Sequence, residues 1–283
     1  LDTGNYALNA CMTGDLFKGV PDSYTVGFVG ESGSGKSYVM LNITKNAVDA
    51  GVWVVYIDTE GALTESKMRR FGIDVDSGLV DLVRTVSTFE DLNAFLLSII
   101  EMKKENPELK ACVILDSYAH LTSSKEIENA GGNEGKQIMG GNSRAGNLMF
   151  RTTTLQMSNL NIPFLYTNHV KASLDPYKED FAPGGSGQTF AATFIVQFNK
   201  SRFDAEKLDK LKIHLEEGGS TGIMTNVKIR KNRDSVPFSF EMLILHNTTF
   251  PRYVGMNRFF LKSGASNNIL KEFIDNSWEL FGL

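Results

Sequence analysis

This chain has no long apolar run. No stretch approaches the ~20 consecutive apolar residues of a membrane-spanning helix, so no membrane partner is expected. Cysteine is scarce too, with two residues in 283, which excludes a disulfide framework. Cys112 lies in an apolar strand pattern and reads as a buried thiol, while Cys11 carries no signal. Leu1-Asp2-Thr3-Gly4 is polar and lacks a basic leader, so no secretory signal is expected and a reducing cytoplasm, that of a bacterium or a phage-infected host, is the expectation. The chain also lacks an initiator methionine, which suggests a fragment or a processed product. An excess of positive charge is missing: 29 Lys and Arg stand against 33 Asp and Glu, a net charge of −4. No global basic field therefore advertises nucleic acid, which does not exclude local binding loops, since phosphate contacts depend on local Lys and Arg placement. Internal repeats are absent as well.

What the chain does have is glycine in one telling place. Gly30-Glu31-Ser32-Gly33-Ser34-Gly35-Lys36-Ser37 fits G-x-x-x-x-G-K-[S/T], the phosphate-binding loop. An apolar run, Tyr24 to Val29, leads in, and a helical pattern from Ser37 to Ala50 leads out. The loop's glycines let successive backbone N–H groups converge on an anion, and the following helix start adds its dipole. Lys36 is placed to meet the β- and γ-phosphates and Ser37 to ligate Mg²⁺. The expected cofactors are ATP and Mg²⁺, with Gly30, Glu31, Ser32, Gly33, Ser34, Gly35, Lys36, Ser37 and Tyr38 lining the nucleotide.

Apolar runs alternate with helical patterns along most of the chain. Strands are predicted at Tyr24–Val29, Val52–Ile57, Leu79–Val86, Cys112–Leu115, Ile162–Tyr166 and Thr193–Phe198. Their Val/Ile/Leu/Phe/Tyr content suits a parallel sheet covered on both faces. Helices are predicted at Thr88–Glu105, where Thr88 and Asp91 mark the start and Pro107 the stop, and at about 143–159. Beyond Phe198 the pattern changes. Residues 200–217 are charge-rich, Gly222–Lys231 and Val236–Leu245 alternate like an antiparallel pair, and Asn267–Leu280 has the pattern of a short amphipathic helix. Two glycine-rich segments, about 124–142 and 170–188, are long enough to suggest function.

Three further constellations carry chemistry. Ala111 to Asp116 is an apolar strand ending in a carboxylate, which together with the phosphate loop marks Asp116 as the residue that holds Mg²⁺, directly or through water. Val54 to Glu60 is a second strand with acids at its carboxyl end, the ligand-binding edge of open α/β sheets. Glu60 is the general-base candidate for activating water, though a surface or capping carboxylate fits the pattern equally. Asn168 and His169 close the strand Phe164 to Thr167, at the root of the second glycine-rich segment. They read equally as a capping Asn and a satisfied His.

In their order and spacing these elements resemble the RecA-type strand-exchange ATPases, and most of all the phage branch typified by UvsX. The likeness spans roughly residues 1–255 and includes Tyr56-Ile57-Asp58-Thr59-Glu60-Gly61-Ala62-Leu63, Phe71-Gly72-Ile73-Asp74, Leu115-Asp116-Ser117, Thr167-Asn168-His169, Gly184-Gly185-Ser186-Gly187, and Lys231-Asn232-Arg233 before Pro237-Phe238.

The resemblance implies a RecA-like P-loop ATPase core over residues 1–250. It would have a mostly parallel central sheet, helices on both faces and an antiparallel C-terminal addition, followed by a partial segment at 251–283. It implies an ATP-dependent recombinase that binds single-stranded and duplex DNA, self-associates into a helical filament and promotes homologous pairing. Single-strand-binding and mediator proteins are implied partners. Glu60 resembles the catalytic glutamate, and His169 the γ-phosphate sensor, a position usually held by Gln in cellular members and similar here to the phage form. Lys231 and Arg233 match a Lys-Asn-Lys element that reaches a neighbour's ATP, although an ordinary basic hairpin tip has the same composition. The two glycine-rich segments resemble DNA-binding loops, with Lys136, Arg144, Lys171, Lys178 and Phe181 as DNA contacts beside Lys125. Departures are a non-aromatic Lys67 where the family stacks adenine and a start almost at the ATPase core, without the N-terminal polymerisation segment. Two other readings share these motifs: a hexameric RecA-fold helicase, and a nucleotide-gated regulatory ATPase with no nucleic-acid role.

Overall fold

The computed structural model describes residues 1–130, 141–170, 187–201, 223–232 and 239–244. Its centre is an eight-stranded sheet. In chain order the strands are β1 (Thr25–Gly30), β2 (Trp53–Asp58), β3 (Val80–Val83), β4 (Ala111–Asp116), β5 (Phe164–His169), β6 (Phe194–Ser201), β7 (Ile223–Lys231) and β8 (Ser239–Ile244). Across the sheet the order is β3-β2-β4-β5-β1-β6-β7-β8. The first six are parallel, and β7 and β8 add antiparallel. The sheet is thus mostly parallel with an antiparallel C-terminal edge.

Burial on both faces follows from the strand period of two. Val26 and Phe28 of β1, Val54 and Tyr56 of β2, Cys112 and Ile114 of β4, and Leu165 of β5 face one core. Into it pack α1 (Tyr6–Thr13), α2 (Lys36–Asp49) and α3 (Glu65–Arg70), through residues such as Leu8, Met12, Val39, Met40, Ile43 and Met68. The alternate residues, Val29, Val55, Ile57, Val113, Leu115 and Tyr166, face a second core with α4 (Phe89–Glu105) and α6 (Gly141–Asn159), which bring Leu92, Leu96, Ile99, Met149, Phe150 and Met157. Each such buried side chain contributes roughly 1.5–3 kcal/mol of transfer free energy. Cys11 and Cys112 are both buried, and burial pushes each thiol up to about 12.

Local sequence sets the helix ends. At α4, Thr88 Oγ1 accepts from Asp91 N at 3.0 Å while Asp91 Oδ2 accepts from Thr88 N at 3.1 Å, the capping box that the spacing predicted. Asn5 caps α1, and Gly14 ends it with φ +77°. A 3₁₀ turn (Tyr118–His120), α5 (Ser124–Ala130) and α7 (Gly187–Ala191) complete the elements.

Several boundaries differ from the sequence expectation. β3 is shorter than Leu79–Val86, because its pairing with β2 stops at Ile57↔Val83 and Val86 turns into the second core. β5 runs on to His169, so Asn168 and His169 belong to the strand and pair with Val29 and Gly30. The edges of the first glycine-rich segment are helical, in α5 and the start of α6. The central part of that segment, most of the second one, most of 200–217 and the helix predicted at Asn267–Leu280 lie outside the described residues. Among those described, no helix is long and apolar enough to cross a membrane.

Candidate functional site

Strand register assembles the site. Asp58 pairs with Asp116 and Gly30 with His169, so the carboxyl ends of β1, β2, β4 and β5 open onto one edge. That is the ligand-binding edge of a parallel α/β sheet.

The Gly30–Ser37 loop lies against β6. A Cβ on Gly30 would sit 2.2 Å from the Phe198 carbonyl oxygen, so only glycine passes there. Gly33 and Gly35 take φ of +68° and +99°, which favour glycine and turn the chain into α2. The buried Lys36 ammonium donates to the Gly30 and Glu31 carbonyls at 2.9 and 2.7 Å. Desolvation lowers its pKa below the ordinary lysine value, opposed by the nearby carboxylates of Asp116 and Glu60. Ser34 Oγ is buried with no hydrogen-bond partner among the described residues. An unsatisfied hydroxyl, a buried ammonium and the N-terminus of a 14-residue helix together form a donor set suited to phosphate oxygens. Glu31, Ser32 and Ser37 are exposed. Tyr38 is half-buried and meets the Phe71 ring edge-on at 4.8 Å, both packed against the first core.

Asp116 is held from both sides. Its Oδ2 accepts from Tyr56 on β2 at 2.9 Å, and its Oδ1 accepts from Thr167 on β5. Each oxygen retains a second lone pair for a cation or its water. Burial, and then the Asp116 charge, raise the Tyr56 phenol well above its usual pKa, which keeps it a donor. The Asp116–Ser117 peptide bond is cis. Thr59 Oγ1 donates to Ser117 O and accepts from Ser117 N, each at 2.8 Å, lashing the β4 terminus to the β2 terminus.

Glu60 stands on a turn built by Asp58. That buried carboxylate accepts from the backbone N–H groups of Glu60, Gly61 and Leu63 at 3.1, 2.9 and 2.9 Å, and Arg84 Nε lies 3.6 Å away. The turn puts Glu60 Oε1 3.4 Å from His169 Nε2 and 3.4 Å from His120 Nδ1. Two of the predicted site residues, Glu60 and His169, are therefore brought together, and Glu60 lies within electrostatic reach of Lys36.

The strand carrying His169 also reaches the far end of the second glycine-rich segment. Asn168 Nδ2 donates to Gln188 Oε1 on α7 at 2.7 Å, and Tyr166 Oη donates to Gln188 O at 3.3 Å. At the root of the first segment, Asn142 Oδ1 accepts from Ser123 N at 2.7 Å.

Lys231 ends β7. Its ammonium donates to the carbonyls of Thr189, Phe190 and Ala192, at 2.6, 3.3 and 2.5 Å. Arg144 is exposed on the first turn of α6. Arg233, Lys136, Lys171, Lys178 and Phe181 lie outside the described residues.

Three site residues escaped the sequence analysis. Asp58 was noted only as an acid beside Glu60, and nothing local showed its three N–H acceptances. His120 lies four positions past Asp116, and only the 3₁₀ turn carries it back. Lys200 lowers the Lys36 pKa through its charge, and its Nζ would lie 3.3 Å from a Cβ on Gly33. The Gly30↔Phe198 register was the signal needed to place it.

Comparison with known proteins covers nearly the whole chain. The RecA N-terminal domain family matches residues 1–250. Similar curated proteins include Protein RecA of Paenarthrobacter aurescens (strain TC1), 27% identical over 280 residues, which span 98% of this chain and 72% of that protein. Protein RecA of Mycobacterium ulcerans (strain Agy99) is 28% identical over 273 residues, 94% of this chain and 72% of its own.

Proposed function

This chain belongs to the RecA N-terminal domain family, and on that premise we propose that it is an ATP-dependent, single-stranded-DNA-binding recombinase that forms a helical filament and promotes homologous pairing and strand exchange. The observation that carries this reading is the meeting of Glu60 and His169 beside the Lys36 loop, on a strand whose next neighbour, Asn168, is bonded to α7. A hydrolytic centre and a glycine-rich segment are thereby joined by adjacent residues of one strand.

In this proposal Lys36, Ser34 and the start of α2 hold the triphosphate, while Ser37 and Asp116 hold Mg²⁺. When bound, that ion neutralises charge on the phosphate oxygens. Glu60 orients the attacking water and takes its proton, because Oε1 faces the site from a turn that Asp58 fixes. His169 reports the γ-phosphate to Asn168, Gln188 and the second segment, where Lys171, Lys178 and Phe181 meet DNA. Lys136 and Arg144 serve the first segment. Lys231 and Arg233 reach the nucleotide of the adjoining subunit as cations that offset developing charge. The histidine at 169 is the residue that favours a kinship with the phage branch of the family. The working compartment is the cytoplasm, and residues 1–250 form the ATPase core.

The test is turnover of ATP with and without single-stranded DNA, followed by electron microscopy of the same mixtures. Stimulated turnover with helical filaments is expected. Closed rings would replace the proposal with a ring-shaped motor, and no DNA stimulation with no salt-dependent DNA binding would replace it with a regulatory ATPase.

A further inference from the structure

We propose that Glu60, His120 and His169 form a binding site for a divalent transition-metal ion of the zinc class. Two of the chain's four histidines converge here on one carboxylate. One ligand atom from each residue lies within 4.8 Å of the others. Glu60 Oε1 is 3.4 Å from His120 Nδ1 and 3.4 Å from His169 Nε2. Metal–ligand bonds of ~2.0–2.1 Å at tetrahedral angles put neighbouring ligand atoms ~3.4 Å apart, so two edges of the triangle already have the length a metal would impose.

The donor set is selective. Two imidazoles and one carboxylate suit zinc, copper, nickel or iron, whereas Mg²⁺ prefers oxygen ligands. The site is also reachable and held. His120 is 48% exposed at its side chain and His169 29%, so an ion can enter from solvent. Glu60 stands on the Asp58 turn, His169 on β5 and His120 on the 3₁₀ turn. Ser117 Oγ, 2.8 Å from His120 Nδ1, shares that nitrogen in the metal-free protein and gives it up to the ion. Three protein ligands leave the fourth position to water.

Binding at this site would occupy the Glu60 oxygen and the His169 nitrogen that face each other. Zinc would then inhibit hydrolysis without displacing Mg²⁺; this consequence rests on the proposed role of Glu60, whereas the site itself does not.

The experiment titrates untagged, metal-depleted protein with Co²⁺ in the absence of nucleotide and follows the visible d–d bands of tetrahedral cobalt. Saturable bands that Zn²⁺ abolishes are expected, lost in His120→Ala and in His169→Ala, with His120→Asn as the second variant should the alanine form fail to fold. No tetrahedral band in the parent protein, or a band that persists in the folded His120 variants, overturns the site. In parallel, ATP turnover is measured at excess Mg²⁺ with and without Zn²⁺. A ratio that falls for the parent and stays near one for the His120 variant supports the inhibitory coupling. Cobalt bands without zinc inhibition uphold the site and overturn Glu60 as the base.

Discussion

The Gly30–Ser37 loop and the Asp58–Thr64 turn each follow a parallel strand and open on the same edge, but opposite means shape them. In the first, backbone does the shaping: glycines supply the left-handed conformations, and two loop carbonyls receive the Lys36 ammonium. In the second, a single buried side chain gathers three backbone N–H groups and so aims Glu60. A loop built from glycine and lysine is closed by its own residues and presents a binding surface. A turn built around one carboxylate depends on that carboxylate, and through it the position of Glu60 depends on Asp58.

The sharpest way to separate the two loops is to remove the acting residue of each. Glu60→Gln should lower the ATP turnover number roughly 10²–10⁴-fold while the affinity for a fluorescent ATP analogue stays unchanged. Lys36→Ala should lose the affinity itself. Equal loss of affinity in both variants would show that the two loops are not functionally distinct.

A smaller effect tests the support. Asp58→Ala strands three N–H groups next to a buried position and should cost about 2–4 kcal/mol of stability, read as a lower urea midpoint, with turnover falling and nucleotide affinity largely kept. An unaltered midpoint would mean that the turn holds itself.

The smallest effect compares Asp58 with an exposed counterpart. Asp91 also accepts a backbone N–H, at the start of α4, but in solvent. Asp91→Ala should cost about 0.5–1 kcal/mol at pH 7. Hydrogen bonding, chiefly from Thr88, holds the Asp91 carboxyl below its ordinary pKa. A depressed folded pKa stabilises above the ordinary aspartate value and ceases to do so as pH falls through the folded pKa. The parent and variant urea midpoints should therefore converge in acid, and a gap that persists there would discredit the assignment.

The same contrast explains what could be read from the chain alone. The phosphate loop was legible because its residue types are nearly unique to its conformation, and the strands because apolar alternation reports burial on both faces. Thr88 and Asp91 were legible because capping is local. His120, Asp58 and Lys200 were not, since each acts on residues brought near by strand register or by a turn, and register lies between strands distant in sequence. Lys231 was legible as a cation, but its carbonyl partners on and just after α7 were not, because that helix is too short to leave a periodic signal.

Those carbonyl partners bear on the order of folding. A helix of five residues cannot sustain itself in water. The carbonyl end of α7 is closed by a lysine about forty positions later in the chain, at the end of β7. The supports of α7 are therefore non-local: Lys231 of β7 closes its carbonyl end, while Tyr166 and Asn168 of β5 hold Gln188. Contacts that close such wide loops form late, so amide protection at residues 187–191 should appear no earlier than that of β7.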